Sequence, residues 1–384
     1  MKVMIMGMDG YLGWPLSMYL TERGHEVSGI DNMTRRKTVA EVGSWSATPI
    51  KSIEERLDAY KKSSGNDLTF YKGDLMESSF VDLAIRKEMP ECIVHLGEIP
   101  SAPYSMMDVN HCNYTQMNNM VGHNNILFAM KEHIPDAHLL KLGTMGEYGT
   151  PNVDIPEGFF EVEYRGRKDK LPFPRQPGSW YHLAKVHETW NLMFANKIWG
   201  ISATDVMQGV VHGLNTPQMV NDDLITRYDF DEVFGTAINR FCAQAVVGHD
   251  LTPYGKGGQT RGYLALRDSM QCFTIAIEAP PKEGEYRVFN QFQECYSVNE
   301  LAERVSKVAQ EYGLEGKIWN IPNPRVEAEE HRYKPDMKHL PDLGFKPINT
   351  LEEELHITIP KLVEYKDRIE AKRESIMPKI KWSA

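Results

Sequence analysis

The feature that most constrains the fold is the N-terminal stretch MKVMIMGMDGYLG, in which an apolar run leads into closely spaced glycines. The run from Val3 to Met6 predicts a buried parallel strand, and Gly7, Gly10 and Gly13 follow it with the spacing G-x-x-G-x-x-G. Such glycines permit a tight turn and let the backbone approach a pyrophosphate at the N-terminus of the next helix. The chain is predicted to begin with a dinucleotide-binding strand–turn–helix unit; purely structural glycines are the alternative.

The end of the second predicted strand indicates which dinucleotide is bound. That strand covers His25–Ile30, and Asp31 ends it, where a carboxylate can accept both ribose hydroxyls of NAD. Arg35 and Arg36 follow closely, and arginines at this place can bind the 2′-phosphate of NADP. Because the carboxylate of Asp31 would repel that phosphate, NAD is expected. The remaining cofactor contacts in this region are predicted at Tyr11, Leu12, Asn32 and Arg35.

Strand and helix signals alternate through the first half of the chain. Further strands are predicted at Leu68–Lys72, Glu91–Leu96, His138–Leu142 and 201–207, with long helices at about 111–131 and 181–199. This alternation predicts an α/β fold with a Rossmann-type doubly wound parallel sheet, whose ligands bind beyond the carboxyl ends of the strands. We expect an NAD-binding domain over 1–207 and a smaller, partly interleaved substrate lobe over 208–384. A long loop is predicted over 150–178, and a solvated or frayed tail after Lys366.

Charge and composition exclude several classes of function. The net charge of −10 argues against a general nucleic-acid partner, and no apolar segment approaches the roughly 20 residues that span a bilayer. Because the first strand begins at once, we expect no leader peptide and no membrane association, hence a cytoplasmic protein. The 5 cysteines are scattered and the 13 histidines lack metal-ligand spacing, so no metal site is expected.

A second motif indicates catalysis. In GSWYHLAKVHETW, Tyr181 and Lys185 lie four positions apart, which places them on one face of a helix. An ammonium group beside a phenol lowers the pKa of the phenol, so the tyrosine can accept a proton near neutral pH. Upstream, Thr144 ends an apolar strand in LLKLGTMGEYG, where its hydroxyl can bind a substrate oxygen. The Y-x-x-x-K pattern alone is weak, but it is specific when it follows the glycine motif in this order.

With these residues, the chain resembles the extended short-chain dehydrogenases that act on nucleotide sugars. More narrowly, it resembles the UDP-sulfoquinovose synthase family, which makes a sulfonated sugar nucleotide from UDP-glucose and sulfite. The resemblance extends from about Lys2 to Gly344. It is most specific in the strings SAPYSM, KLGTMGEYGTPN, FGTAINRFC, YGKGGQTRGYL and NPRVEAEEH.

The resemblance implies a role for each matching residue. Gly7, Gly10 and Gly13 would hold the pyrophosphate of NAD, Asp31 the ribose, and Asp74 with Leu75 the adenine. Thr144, Tyr181 and Lys185 would be catalytic, with Asn119 beside them. Arg261 and Arg325 would clamp the UDP diphosphate, for which the planar guanidinium is well suited. Ser101 and Gln208 would contact the sugar.

Two local differences separate this chain from its possible relatives. Sugar-nucleotide 4,6-dehydratases have an Asp and a Glu where this chain has Met145 and Gly146, so the acid and base that eliminate water are missing from these positions. Glu147 is then predicted either as a partial base or as a hydrogen-bonding support. Compared with the synthases, which read E-Q-R before SAPYSM, this chain reads Glu98-Ile99-Pro100. The loss of that arginine puts the sulfite step in more doubt than the hydride step.

The implied reaction is the NAD-dependent conversion of UDP-glucose and sulfite to UDP-sulfoquinovose through a 4-keto-5,6-ene, with His182 as a candidate proton donor to the leaving hydroxyl. A UDP-sugar 4-epimerase would use the same Thr–Tyr–Lys set, and a non-catalytic NAD-sensing regulator is the alternative from another class. Whether sulfite is free or delivered by a sulfur-donor protein stays open. The resemblance also implies a homodimer through the helices at 111–131 and 181–199, which carry apolar residues on more than one face, for example Met117, Met120, Ile126, Leu127, Trp190, Met193 and Trp199.

Overall fold

The computed structural model describes residues 1–382 and is built around a seven-stranded parallel sheet. The strands of this sheet are β1 (Lys2–Met6), β2 (Glu26–Asp31), β3 (Thr69–Lys72), β4 (Cys92–His95), β5 (His138–Thr144), β8 (Ser202–Gln208) and β11 (Tyr286–Gln291). Their spatial order is β11-β8-β5-β4-β1-β2-β3. The predicted doubly wound parallel sheet is therefore confirmed.

The remaining strands and the helices complete the chain. The other strands are β6 (Phe159–Tyr164), β7 (Arg167–Pro172), β9 (Val210–His212), β10 (Thr260–Ala265) and β12 (Glu294–Ser297). The helices are α1 (Gly13–Glu22), α2 (Thr34–Glu41), α3 (Ile53–Ser64), α4 (Ser78–Glu88), α5 (Ala102–Ser105), α6 (Val109–His133), α7 (Trp180–Trp199), α8 (Ala237–Val246), α9 (Leu266–Glu278), α10 (Val298–Glu311), α11 (His339–Asp342), α12 (Leu351–Glu364) and α13 (Lys366–Glu370), with 3-10 turns at Met145–Glu147, Asp222–Leu224 and Arg373–Ser375.

Both faces of the sheet are covered. Alternate residues of β1 point to opposite faces, as the pleat requires, so Val3 and Ile5 pack in one hydrophobic cluster while Met4 and Met6 pack in another. The second cluster includes residues of α4, α6 and α7, and the first includes Trp14 of α1. Burial on both faces explains why these strands are continuous apolar runs in the sequence.

The order of the strands places the ligand crevice. The chain passes from β1 to β2 on one side and returns to β4 on the other side of β1, so the order reverses between β1 and β4. In doubly wound sheets, ligands bind beyond the carboxyl ends of the strands at this point. Gly7 follows β1 and Gly97 follows β4, so two glycines border the crevice.

The second half of the chain is interleaved with the first. Strand β11 lies at the edge of the main sheet in parallel with β8, with Tyr286 opposite Ala203. A separate three-stranded sheet has the order β12-β10-β9, and its strand β9 begins directly after β8 ends at Gln208. The segment 150–178, predicted as a long loop, contains the antiparallel hairpin β6–β7 instead. Strand β7 has no apolar alternation, whereas in β6 Phe160, Val162 and Tyr164 alternate with two glutamates, a strand signal that the loop prediction missed.

The C-terminal segment is not the solvated or frayed tail that its charged sequence indicated. Ile369 and Ile376 are fully buried in the main hydrophobic cluster. Arg368 donates to the carbonyl oxygens of Ser46 and Ala47 at 3.1 and 3.0 Å, and Trp45 donates to the carbonyl of Arg368 at 2.9 Å. The tail therefore packs on the segment between α2 and α3. Within residues 1–382, no helix combines the length and the apolar character that crossing a bilayer requires.

Because Ile376 packs in the core, we expect Ile376→Ala to lower the free energy of unfolding by about 2–5 kcal/mol, the usual cost of removing a buried isoleucine side chain. The matched control is Ile348→Ala, because Ile348 is 56% exposed and its truncation should cost less than about 0.5 kcal/mol. Denaturant unfolding of both variants measures the difference. Equal stability of the two would show that the tail is not part of the folded core.

Candidate active site

A single cleft of about 600 Å³ lies at the carboxyl ends of the central strands. Most of the predicted site residues line it: Gly7, Gly10, Tyr11, Leu12, Gly13, Asp31, Asn32, Arg35, Asp74, Leu75, Ser101, Thr144, Tyr181, His182, Gln208, Arg261 and Arg325. Asn119, Glu147 and Lys185 lie behind its wall and are buried. The sequence prediction thus brings together residues that are distant in the chain.

The glycine turn after β1 forms a cradle that side chains would block. Gly7 has a φ of +92°, and a Cβ there would lie 2.8 Å from the backbone carbon of Leu96. A Cβ on Gly13 would lie 2.1 Å from the carbonyl oxygen of Gly7. Because the turn is this close, the backbone at the start of α1 is open to a ligand, and its N–H groups favour an anion. The cradle fits the pyrophosphate of a dinucleotide.

Asp31 is held in place at the tip of β2. Its carboxylate accepts from the backbone N–H of Asp9 at 2.9 Å and of Met33 at 2.7 Å. Burial, reinforced by the neighbouring carboxylate of Asp9, raises the pKa of Asp31 to about 6. Asp9 is itself paired with Arg36 and Arg56 at 2.7 and 2.8 Å. Arg36 is thus committed to the protein, which leaves it poorly placed to bind a 2′-phosphate.

The neighbouring cofactor candidates are also tied to the fold. Asn32 donates to the carboxylate of Asp74 at 3.0 Å, which links the tips of β2 and β3. Arg35 lies against the ring of Phe234 at 4.3 Å and is paired with Asp229 at 3.4 Å. The Arg35 side chain therefore joins the cofactor end of the cleft to the second half of the chain.

The catalytic candidates converge from β5 and α7. Thr144 is the last residue of β5, and its hydroxyl accepts from the backbone N–H of Gly146 at 3.1 Å, capping the following turn. Tyr181 lies in the first turn of α7, and its backbone N–H donates to the hydroxyl of Ser105 at 3.0 Å. The hydroxyls of Thr144 and Tyr181 line the same cleft, as the motif predicted.

Lys185 is enclosed by carboxylates. Its ammonium donates to Glu188 at 2.8 Å and to Glu98. Burial acts to lower the pKa of Lys185, but Glu188, Glu98 and Tyr181 outweigh it and raise that pKa above its usual value. Lys185 is therefore a permanent cation at neutral pH.

The pKa of Tyr181 differs from the sequence prediction. Burial raises it above its ordinary value, while the Lys185 ammonium lowers it, as predicted, and the carboxylates of Glu98, Glu188 and Glu147 raise it again. The prediction considered only the ammonium and missed the carboxylates around it. Lys185 alone therefore does not bring the pKa of Tyr181 below its ordinary value, and the positive charge of an oxidised nicotinamide beside the phenol would act in the same direction as Lys185.

His182 is a neutral side chain. Burial and the positive charges of Arg261 and Arg325 lower its pKa to about 3. A ring nitrogen, Nδ1, lies 2.9 Å from the hydroxyl of Ser179. The imidazole packs on Gly146, where a Cβ would lie 2.3 Å from Nε2. A neutral imidazole can donate one hydrogen bond and accept one proton, so His182 can act as the predicted proton donor only after it has accepted a proton.

Glu147 supports the site from behind. It is fully buried, and its carboxylate accepts from the Thr189 hydroxyl at 2.9 Å and from the backbone N–H of Thr144 at 3.3 Å. Lys141 is 3.5 Å from the same carboxylate and 3.2 Å from that of Asp205. Of the two predicted roles, these contacts favour the hydrogen-bonding support over the partial base.

Asn119 and Ser101 hold the wall of the cleft. The Asn119 side chain accepts from the backbone N–H of Ile99 at 2.8 Å. The Ser101 hydroxyl donates to the carbonyl of Val233 at 2.5 Å and caps α5. The Ser101 hydroxyl therefore already donates its hydrogen within the protein, which weakens its predicted role as a sugar contact.

Arginines line the other end of the cleft. Arg261 is paired with Glu327 at 2.9 Å and Arg325 lies 5.3 Å from the ring of Trp382. Gln208 ends β8, and its side-chain amide donates to Gln291 at 2.8 Å. These three predicted substrate residues lie on the side supplied by the second half of the chain.

The sequence prediction missed several lining residues. Arg240 of α8 and Tyr254 line the cleft, and the Arg240 guanidinium lies 4.3 Å from the Tyr254 ring. Trp382 also lines it, and its backbone N–H donates to Pro324 at 3.0 Å. The strings FGTAINRFC and YGKGGQTRGYL contained the signal for Arg240 and Tyr254. Nothing in the charged tail indicated Trp382.

Comparison with known proteins agrees with this geometry. Residues 3–290 match the model of the NAD dependent epimerase/dehydratase family. The chain belongs to this family, and the predicted cofactor, NAD, is confirmed at that level.

Individual relatives are more specific. The chain is 49% identical over 383 residues to the UDP-sulfoquinovose synthase of Sulfolobus acidocaldarius. This alignment covers 100% of this chain and 98% of that protein. It is 48% identical to the chloroplastic UDP-sulfoquinovose synthase of Spinacia oleracea, over 99% of this chain and 79% of that one. The family resemblance seen in the sequence is thereby confirmed.

Solved structures share the fold. The UDP-glucose 4-epimerase of Thermotoga maritima, determined with UDP-glucose, superposes with a TM-score of 0.71 at 18% identity and covers 95% of this chain and 99% of its own. The Thermus thermophilus UDP-glucose 4-epimerase in complex with NAD gives a TM-score of 0.66 at 19% identity, with coverages of 94% and 99%.

We predict that Asp31→Ala weakens NAD binding and improves tolerance of NADP, because it removes both the ribose acceptor and the charge that repels a 2′-phosphate. With a pKa of about 6, the carboxylate of Asp31 should also make NAD affinity fall as the pH drops below that value. Dissociation constants for both dinucleotides, measured from pH 5 to pH 8, check this. Asp67→Ala is the control, because Asp67 is exposed and remote from the cleft. Unchanged selectivity in Asp31→Ala would place the ribose contact elsewhere.

Proposed function

We propose that this chain converts UDP-glucose and sulfite to UDP-sulfoquinovose with bound NAD. The identity of about half of all residues to two curated UDP-sulfoquinovose synthases, over nearly the whole chain, is the observation that carries the proposal. The cleft supports it with a hydroxyl pair at Thr144 and Tyr181, a cation at Lys185, and arginines at the opposite end.

The cofactor end and the substrate end of the cleft have different chemistry. When bound, NAD supplies a reversible hydride acceptor at C4 of the glucose. Tyr181 takes the proton of the C4 hydroxyl as general base, and Thr144 donates a hydrogen bond to the same oxygen. Arg261 and Arg325 hold the two negative charges of the UDP diphosphate, which fixes the sugar against β5.

The next step removes the C6 hydroxyl. A ketone at C4 acidifies the C5 proton, and loss of water across C5 and C6 gives the 4-keto-5,6-ene. His182 is the proposed proton donor to the leaving hydroxyl. Its neutral imidazole, whose Nδ1 lies 2.9 Å from the Ser179 hydroxyl, first accepts the C5 proton at Nε2 and then delivers that proton to the leaving hydroxyl, so that water departs and the ring is neutral again. Its contact with Gly146 fixes the ring beside the turn that follows Thr144.

Sulfite addition at C6 requires a site that tolerates an anion. Met145 and Gly146 place no carboxylate at the two positions where dehydratases have an Asp and a Glu, and the carboxylate of Glu147 in the same turn is buried behind the cleft. The positive potential of Arg261 and Arg325 reaches His182, as the lowering of its pKa indicates. This potential attracts an anion, which compensates for the missing arginine at Pro100. We therefore expect sulfite addition to proceed, whether sulfite is free or delivered by a protein.

The test is incubation of the protein with UDP-glucose and sulfite across pH 5–8, followed by mass spectrometry. A mass corresponding to UDP-sulfoquinovose supports the proposal. Formation of UDP-galactose with untouched sulfite would identify a 4-epimerase, and no turnover would identify a non-catalytic NAD-binding regulator.

In the same assay, Tyr181→Phe should lower turnover by roughly 10²–10⁴, the usual contribution of general acid–base catalysis. The substitution removes only the hydroxyl, so NAD and UDP-glucose should still bind. Tyr71→Phe is the matched control, because Tyr71 lies in β3 outside the cleft and its hydroxyl bonds Glu88. Near-normal activity of Tyr181→Phe would exclude the phenol as the base.

We also propose that the protein is a homodimer. Helices α6 and α7 pack together and expose an apolar face, formed by Met117, Phe128, Trp190, Phe194 and Ile198. On α7 the exposed residues follow one another at four-residue intervals, so they share one side of the helix. Ile126 and Leu127, expected on this surface, are buried within the subunit instead. Exposed aromatic patches of this kind mark interaction sites.

Phe194→Lys should shift the protein towards monomer, because a twofold contact places the new charge twice in an apolar interface. Leu83→Lys is the control, since Leu83 is similarly exposed at 54% but lies on α4. Sedimentation velocity at micromolar concentration distinguishes the two variants. A monomeric wild-type protein would contradict the proposed dimer.

A further inference from the structure

A cluster of buried charges behind the cleft is not explained by the proposed reaction. The ammonium of Lys185 donates to both Glu98 and Glu188, so the two bonded carboxylate oxygens are at most about 6 Å apart. The exposed fractions of these side chains are 1% for Lys185, 5% for Glu98 and 0% for Glu188. Two carboxylates around one cation leave an excess negative charge in a low-dielectric place.

Histidines complete this cluster. The rings of His95 and His123 stack with centroids 5.4 Å apart and an interplanar angle of 14°, and His95 Nε2 lies 3.7 Å from Glu98. Burial, together with the charges of Lys185 and Lys141, holds the pKa values of both histidines well below the usual value. Neutral histidines cannot cancel the excess negative charge.

The cluster does not suit a metal ion. His95, His123 and Glu188 do present ligand atoms that lie within 4.8 Å of one another. However, the Lys185 ammonium already occupies Glu188 at 2.8 Å. A cation placed among these groups would be repelled by it.

A proton is the remaining means of balance. Burial and the neighbouring Glu98 raise the pKa of Glu188 to about 8, against the opposing effect of Lys185. Among residues 1–382, neither Glu98 Oε1 nor Glu188 Oε1 has a hydrogen-bond partner. An unpaired buried carboxylate oxygen is costly, and carboxyl groups that cannot both ionise share a proton. Glu98 also lines the cleft, which gives this proton a route to solvent.

We propose that Glu98 and Glu188 share one proton around Lys185, releasing it to solvent when the bound nicotinamide is oxidised and regaining it on reduction. The inference rests on NAD binding alone. The oxidised nicotinamide has a positive charge that the reduced ring lacks. Lys185 belongs to the Tyr181–Lys185 pair, which is expected to act beside this ring. The groups that face the shared proton are Tyr181, Lys185 and Glu188 of α7, His95 of β4, Glu98 after it, His123 of α6 and Lys141 of β5.

The shared proton would couple two charges. As the positive charge on the nicotinamide disappears, the carboxyl pair takes up one proton and goes from two negative charges to one, so the summed charge of the nicotinamide, the pair and Lys185 stays constant. The two carboxylates raise the pKa of Tyr181 most when both are ionised, and in that state the positive charge of the oxidised nicotinamide opposes their effect. Glu98 and Glu188 are thus positioning residues that act through Lys185 and Tyr181.

The experiment is infrared difference spectroscopy of the NAD-containing protein at pH 7, before and after reduction with sodium borohydride. Borohydride delivers a hydride to the nicotinamide, and the solvent supplies the proton to the carboxyl pair. We expect the carbonyl stretch of a protonated carboxyl group to appear on reduction and to shift in D₂O. It should be lost in Glu188→Gln and in Glu98→Gln.

The matched control is Asp268→Asn. Asp268 is fully buried and burial raises its pKa to about 6, but it lies in α9 outside the cleft, so the band should persist. If a glutamine variant loses NAD, Glu188→Asp keeps a carboxyl group and should displace the band in frequency. A wild-type protein without the band, a band that survives both glutamine variants, or one unmoved in Glu188→Asp would overturn the proposal. No sugar is present, so the outcome is independent of the proposed reaction.

Discussion

The arrangement of the site depends on a buried charge that must be paired. Lys141 points from β5 into the protein and is fully buried, with Thr189 at 2.8 Å, Asp205 at 3.2 Å and Glu147 at 3.5 Å. Breaking one partner of a buried ion pair leaves an uncompensated charge, which is strongly destabilising. The pairing therefore fixes β5, β8 and α7 relative to one another. Thr144 and Tyr181, which extend from β5 and α7, inherit their mutual position from it.

Burial, which requires Lys141 to be paired, also decides which parts of the fold the sequence could predict. The glycine turn and the strands β1, β2, β4 and β5 are local patterns, because burial on both faces requires continuous apolar runs. Strand β11 is equally buried, but it joins the sheet next to β8 from far along the chain, and no local pattern records that pairing. The prediction of a solvated or frayed tail was wrong for a similar reason. Its few apolar residues, such as Ile369 and Ile376, are the ones that pack, while its charges dominate the composition.

Within the site, the sequence predicted the positions of the residues better than it predicted their pKa values. Tyr181, Thr144 and the arginines converge as their motifs indicated. The pKa values depend on groups that no motif contained, such as Glu98 beside Lys185 and the arginines near His182. A pKa is set by all neighbouring charges and by burial. These neighbours come from β4, α6 and the second half of the chain, so their effect is visible only after folding.

The distribution of charge along the cleft also accounts for its chemistry. At the cofactor end, the carboxylates of Asp31 and Glu98 line the cleft and give it an acidic environment. At the opposite end, Arg240, Arg261 and Arg325 give a positive one, which suits a diphosphate. Met145 and Gly146 lie between these regions and present no ionisable side chain to the cleft, since Glu147 of the same turn is buried behind it. A sugar held there by its diphosphate meets a base on one side and positive potential on the other. An anionic reactant can then approach C6 without opposing charge from the turn, which a dehydratase with carboxylates at these positions would not permit.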